Sequence, residues 1–262
     1  MTTVPEPASG LLMLFEQPFA IGEWIQTPTA KGRVVEVNWR AVHLETGEGL
    51  QITPNSVLAG AAFTNVSRPA GKHAITVTTV FGVEDRPDRV CAMLRRVASE
   101  LPMRHPDVDP TAVPVGTLPM GAPQYRTKIP LRSPGDDDDA KAAFLRWIWY
   151  AARRDGLHLD EAEDVFSEPH LVAEAIRTVV APILRLDDQQ QQAMAAHARI
   201  EIFGAGELMQ PNGIVPEAVS FIVAGRVSLT ADAEDGARTE IGIIERGAFL
   251  GQSTLIRHPV SG

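Results

Sequence analysis

"GRVVEVNWRAVHLETGEGLQITPNSVLAG", Gly32 to Gly60, is the stretch whose reading decides the fold. Its first part alternates. Val34, Glu36 and Asn38 fall on one side of an extended chain, and Val35, Val37 and Trp39 on the other. A strand here can bury one face, and the apolar set Val35, Val37 and Trp39 is the expected one. "TGEG", Thr46 to Gly49, is hairpin-turn chemistry. The stretch closes on "ITPNSVLAG". Pro54 has no backbone N–H and stops a ladder, while Asn55 and Ser56 can hydrogen-bond locally. A turn should therefore lead into a short apolar segment. Taken out to Trp24 and Ser67, the pattern predicts about five short strands in about 45 residues, the size of a small barrel.

The pattern changes after Pro69. "KHAITVTTVF" reads as a strand, and Arg86 to Leu101 as a helix with Val90, Leu94, Val97 and Leu101 on one face. "TAVPVGTL" and "QYRTKIPLRS" read as strands. "SPGDDDDAKAAFLRWIWYAARRDG" predicts a second helix. Its four Asp at the start, its Arg pair near the end and the following Gly156 suit the helix dipole and a C-terminal stop. "GLHLD" offers a last strand, which would complete a ferredoxin-like α/β order. Upstream, residues 9–19 read as a short helix closed by Pro18.

The third part reads differently. Residues 168–186 predict a linker helix interrupted by Pro182, and "DDQQQQAMAAHA" a capped helix. From Arg199 onward strand patterning returns in "RIEIFGAGELM", "AVSFIVAGRVSLTAD" and "RTEIGIIERGAFLGQST", with Gly213, Gly225, Gly236 and Gly247 at successive turns. The expected domains are 18–69, 70–160 and 187–262, with a tail at 1–17 and a helical linker at 161–186. The expected class is α+β and multidomain: a small Sm-like β-barrel, a ferredoxin-like domain and a partial β-roll.

Composition narrows the function classes. The 262 residues carry a formal net charge of −9, against the cationic surface that non-specific nucleic-acid binding needs. A single cysteine, Cys91, leaves no intrachain disulfide, and in a helix it reads as a small buried hydrophobe. "GLLMLF", Gly10 to Phe15, is far short of the roughly 20 apolar residues that span a bilayer. No secretory leader is expected from "MTTVPEPASG".

The histidines show no metal-ligand spacing, and neither a G-x-S-x-G elbow nor a phosphate loop occurs. "GAGE" at 204–207 lacks the third glycine of a dinucleotide fingerprint. The acidic run Asp136–Asp139 reads as helix-start chemistry, with a cation site as the alternative. Trp147, Trp149 and Tyr150, close to Arg146 and Arg153, read as core and interface packing, with a ligand patch as the alternative. An enzyme is not expected.

Residues 8–69 resemble the small-conductance mechanosensitive ion channel family in the order and spacing of "PFAIGEWI" (18–25), "GRVVEV" (32–37), "ITPNSVL" (52–58) and "NVSRP" (65–69). Residues 70–160 resemble, more weakly, the α/β domain that follows in that family. The resemblance implies the cytoplasmic part of a membrane channel subunit in a homo-oligomeric, usually heptameric, ring. "ASGLLMLFEQPF" would be the end of its pore-lining helix, with further membrane helices expected upstream. The implied place is the cytoplasmic face of the inner or plasma membrane. The alternative is a soluble ligand-responsive regulator whose ring serves assembly alone.

Residues 186–262 resemble the start of a cyclic nucleotide-binding domain in "FGAGELMQPNG", "FIVAGRVSL" and "GAFLGQSTLIRHPVSG". The resemblance implies cAMP or cGMP as a regulatory ligand, held by backbone at a short helix start. Gly251, Gln252, Ser253, Thr254 and Ser261 are the implied binding residues. Gln252 stands where the family has Glu, and Val260 where it has the phosphate-pairing Arg. Losing that charge-assisted contact costs about 1.5–3 kcal/mol. Weak binding, or none, is expected.

Overall fold

The computed structural model describes residues 16–118, 121–159, 168–210, 216, 218–232 and 238–251. The chain divides into two compact units, Met1–Ala162 and Glu163–Gly262.

The first unit begins with five antiparallel strands: β1 (Trp24–Gln26), β2 (Lys31–Val37), β3 (Ala41–Thr46), β4 (Gly49–Pro54) and β5 (Thr64–Asn65). They are ordered β4-β3-β2-β1-β5. "TGEG" makes the tight β3–β4 turn, with Thr46 opposite Gly49. Gly49 takes φ 135°, a conformation an L side chain resists. The small core is Phe19, Ile25, Val34, Val42, Leu44 and Leu58.

The alternation in β2 is not the one expected. Val34 is fully buried, Val35 and Val37 are half-buried, and Trp39 is 69% exposed. A register shift between Val34 and Glu36 brings Val34 onto the core face together with Val37, which packs against the core as expected, while Trp39 lies past the end of β2 in the turn before β3. A bulge breaks the period of two, so residues past it no longer share the face assigned by counting.

"NSVLAG" also differs from the expected turn. Asn55–Gly60 forms a short helix, α1. Pro54 is the last residue of β4, consistent with a chain that can no longer donate. The Asn55 side chain does not bond locally. It is buried, and its Nδ2 donates to the Asn38 carbonyl at 3.0 Å, while its backbone N–H donates to Arg40 at 2.9 Å. Asn55 thus ties the start of α1 to the β2–β3 connection.

A three-stranded antiparallel sheet follows, β6 (Ala74–Val80), β7 (Thr111–Thr117) and β8 (Pro123–Pro130), in the order β6-β8-β7. Two helices, α2 (Pro87–Glu100) and α3 (Asp137–Arg154), complete this half. Alternation is regular here: Tyr125, Thr127 and Ile129 are buried, and Arg126 and Lys128 are exposed. Tyr125 and Ile129 form one cluster with Val90, Leu94, Val97 and Leu101, the face expected of the first helix, and with Phe144, Trp147 and Ile148 of α3. Cys91 is a buried free thiol within that cluster, and burial raises its pKa. Pro114 lies on edge strand β7 beside a register shift, where a missing donor is tolerated. The expected fourth strand at "GLHLD" does not form over its described residues, 156–159. Two of that segment's backbone bonds return to the end of α3, and its single bond toward the end of β6, from the Gly82 N–H to the His158 carbonyl at 2.9 Å, does not make a ladder.

In the second unit, α4 (Pro169–Ala175) runs through a π-helical turn, Ile176–Val180, into α5 (Ala181–Leu184). Pro182 supplies the cause: it lacks a donor and its ring crowds the carbonyl four residues back. α6 (Asp188–Ala195) starts with a capping box between Asp187 and Gln190. The strand expected at Arg199 is absent: residues 199–210 are irregular. Alternation marks an apolar face, but a ladder also needs a neighbouring chain in register. Two short ladders follow. β9 (Ser220–Phe221) pairs with β12 (Phe249–Leu250), and β10 (Arg226–Asp232) with β11 (Arg238–Glu245). Gly225 and Gly247 take positive φ, as turn residues do, while Gly213 and Gly236 lie outside the described residues.

Candidate functional site

The quoted motifs of the first unit come together. "PFAIGEWI" and "NVSRP" clasp each other through Glu23. Its Oε1 accepts Arg68 Nε at 2.8 Å, and its Oε2 accepts Asn65 Nδ2 at 2.9 Å and the Ala20 N–H at 2.8 Å. The Arg68 hydrogen bond leads the causes that hold the Glu23 carboxyl below its usual pKa. Asn65 Nδ2 also reaches the Pro18 carbonyl at 3.1 Å, and the Trp24 N–H donates to Ser67 Oγ at 2.9 Å. The two ends of this segment are therefore pinned beside β1, close to where the chain enters from residue 16.

A second set joins the two sheets of the unit. Lys31 of β2 donates to Asp137 at the start of α3 and to the Pro134 carbonyl at 2.6 Å. The other Asp137 oxygen bonds His73 Nε2 at 2.6 Å. The Trp24 ring lies 5.7 Å from the Lys31 ammonium and packs so closely on Gly135 that a Cβ there would sit 2.9 Å from it. Asp137 thus does more than face a helix dipole: it neutralises Lys31 and holds His73. No sequence spacing announced this, because the partners are 106 and 64 residues away. Asp137→Ala should leave both partners half-buried without their carboxylate. The Lys31 and Asp137 side chains are 26% and 24% exposed. Solvent therefore trims the cost of a broken buried pair to about 1–2 kcal/mol. Urea unfolding measures it, and a loss below about 0.3 kcal/mol would remove the joint from the account.

His158 marks the far end of the unit. Its ring Nδ1 lies 2.9 Å from Asp85 Oδ1, and its backbone N–H donates to Asp85 Oδ2 at 2.7 Å. The Asp85 hydrogen bond is the main cause that raises the imidazole pKa from 6.5. A raised folded pKa means that the contact stabilises fully below the unfolded value and is lost as pH rises through the folded one. The stability difference between the wild type and Asp85→Asn should therefore shrink as pH climbs above 6.5. A pH-independent difference in melting temperature would contradict this.

Of the expected nucleotide-binding residues, Gly251 directly follows β12 and takes φ 89°. Gln252, Ser253, Thr254 and Ser261 lie outside the described residues, as does Val260. The aromatic set at the end of α3 divides. Trp147 is core, as expected, while Trp149 and Tyr150 are half-buried, with Trp149 edge-on to Tyr150 and 3.5 Å beneath the Arg153 guanidinium. Among the described residues, no helix is long and apolar enough to cross a membrane.

An apolar feature escaped the sequence reading. Edge strand β4 turns Thr53 inward, while Leu50 and Ile52 are each 58% exposed. Val57 of α1 and Val113 and Val115 of edge strand β7 are exposed as well.

Comparison with known proteins places the segment that carries Leu50, Ile52 and Val57. Residues 2–68 match the mechanosensitive ion channel β-domain. The chain shares 36% identity over 67 residues with the uncharacterized MscS family protein YhdY of Bacillus subtilis, 25% of this chain and 18% of that protein. Over 104 residues the chain is 27% identical to the low conductance mechanosensitive channel YnaI of Escherichia coli, 38% of this chain and 29% of the relative. The matched stretches thus span under a third of either relative. The crystal structure of Helicobacter pylori MscS in the closed state superposes with a TM-score of 0.50 at 15% identity, over 61% of this chain and 62% of that one. At that identity the likeness is one of fold. Together the matches give a β-domain of the mechanosensitive channel kind within a chain of mixed α and β content.

Proposed function

We propose that this chain is the cytoplasmic part of a mechanosensitive-type ion channel subunit. The observation that carries the reading is the β-domain match over residues 2–68. In this reading the five strands form the wall of a small barrel, and the three-stranded domain is the α/β domain beneath it. Copies assemble as a homo-oligomeric ring, a heptamer in the reading from family resemblance, under a pore built by membrane helices that precede the β-domain. The chain takes part in gated ion passage at the membrane and performs no catalysis. The apolar edges β4 and β7 support assembly, since edge strands with exposed apolar side chains are otherwise a hazard to a lone subunit.

The second unit is proposed as a partial roll of the cyclic nucleotide-binding type, with cAMP or cGMP as a weak modulator at most. Gln252 and Val260 are the motive, because neither supplies the charge that the family's site uses.

The test grafts residues 2–159 in place of the matching region of the Escherichia coli relative and records patches under suction. Tension-dependent openings are expected. A correctly inserted, silent chimera would favour the alternative, a ligand-responsive regulatory ring without a pore.

A further inference from the structure

We infer that the cleft between the β-domain and the three-stranded domain binds a small phosphate-bearing anion, with Lys72 and Lys141 as its principal donors. The cleft is a solvent-open concavity of about 480 Å3, roomy enough for a small anion. It is walled by both halves of the unit: Gln26, Lys31 and Arg68 on one side, Lys72 before β6, and Asp137, Asp138 and Lys141 from the first turns of α3.

Its charges favour an anionic ligand. Lys31 is held by Asp137, and Arg68 by Glu23, so these cancel in place. The Lys72 and Lys141 side chains make no ion pair or hydrogen bond with another described residue, and both residues are exposed at the cleft. Against them stands Asp138 alone. An excess of positive charge thus collects at one concave place on a protein whose net charge is −9. Like charges gathered in a concave, polar pocket without partners are relieved by an anion, and ammonium groups bind phosphate as point charges. The Asp137 tie holds the two walls together, so the donors are already in place. The inference does not depend on whether the chain forms a ring.

Calorimetry on the full chain, with inorganic phosphate as probe and chloride at matched ionic strength as reference, tests it. A companion arm uses vesicles of phosphatidylglycerol in phosphatidylcholine. Saturable phosphate binding is expected, weakened about tenfold or more in Lys72→Gln combined with Lys141→Gln. It should be unchanged in Arg177→Gln combined with Arg185→Gln, which removes equal charge from the second unit. Vesicle binding lost in the same lysine variant, with no response to free phosphate, would support the site and identify a lipid headgroup as the source. Two results overturn the proposal: neither arm binding beyond its reference, or binding that the lysine variant leaves intact. Neither lysine side chain has a partner among the described residues, so the variant should fold, and circular dichroism checks it.

Discussion

Leu50→Asp combined with Ile52→Asp is expected to reduce the proposed assembly to monomers without unfolding the chain. Both side chains lie on edge strand β4 and are 58% exposed in the single subunit. Burying the part of each that is still exposed contributes about 1–2 kcal/mol per side chain. Introducing carboxylates reverses that contribution and adds the cost of desolvating a charge. Nothing in the subunit's own core depends on these two positions, since the β-domain core is built from Ile25, Val34, Val42, Leu44 and their neighbours. Light scattering should report a large mass for the wild type and a single-chain mass for the double variant, with closely similar melting temperatures. A wild type that stays monomeric at every accessible concentration would end the ring reading for this chain. Equal large masses for both proteins would move the contact elsewhere, with β7 and its exposed Val113 and Val115 the next surface to examine.

Phe144→Ala should be the most destabilising single change in the α/β half, by about 3–5 kcal/mol. The ring is fully buried in the cluster that joins α2, α3 and the sheet. Truncation removes its transfer energy and leaves a cavity that a close-packed core only partly closes. The adjacent Leu145, 40% exposed on the outer face of the same helix, gives the control. Leu145→Ala should cost about 0.5 kcal/mol or less. Urea unfolding of the pair decides, and similar losses at the two positions would mean that α3 does not pack as described. A wild-type stability near the low end of the usual range would show Phe144→Ala as loss of the fold itself.

Element type was legible wherever one local signal dominated. The helix expected at 86–101 is Pro87–Glu100, and its apolar face is buried as counted. A period near 3.6 is set within the segment and needs no information from elsewhere. The Asp187 capping box and the "TGEG" hairpin are equally local. The breaks came where the chain's own pattern meets another chain segment. A one-residue bulge in β2 put Val34 and Val37 on the same core face, and the turn that ends the strand left Trp39 in solvent. "GLHLD" and "RIEIF" carry strand composition, but a ladder forms only where a neighbour is in register.

For the candidate sites the division is the same. The amino-acid sequence by itself determined a β-domain of recognisable spacing, an acidic chain, a buried Cys91, and two helices facing one sheet. It did so because periodicity, turn chemistry and composition are properties of neighbours along the chain. Only the tertiary structure decided that Asp137 holds Lys31 and His73, that Asn55 reaches Asn38, that Leu50 and Ile52 face outward, and that Lys72 and Lys141 share one cleft. Each of these joins residues distant in sequence or depends on a strand's register. Hydrogen bonds and charges act over a few ångströms in space, and a linear pattern does not record which distant residues the fold brings that close.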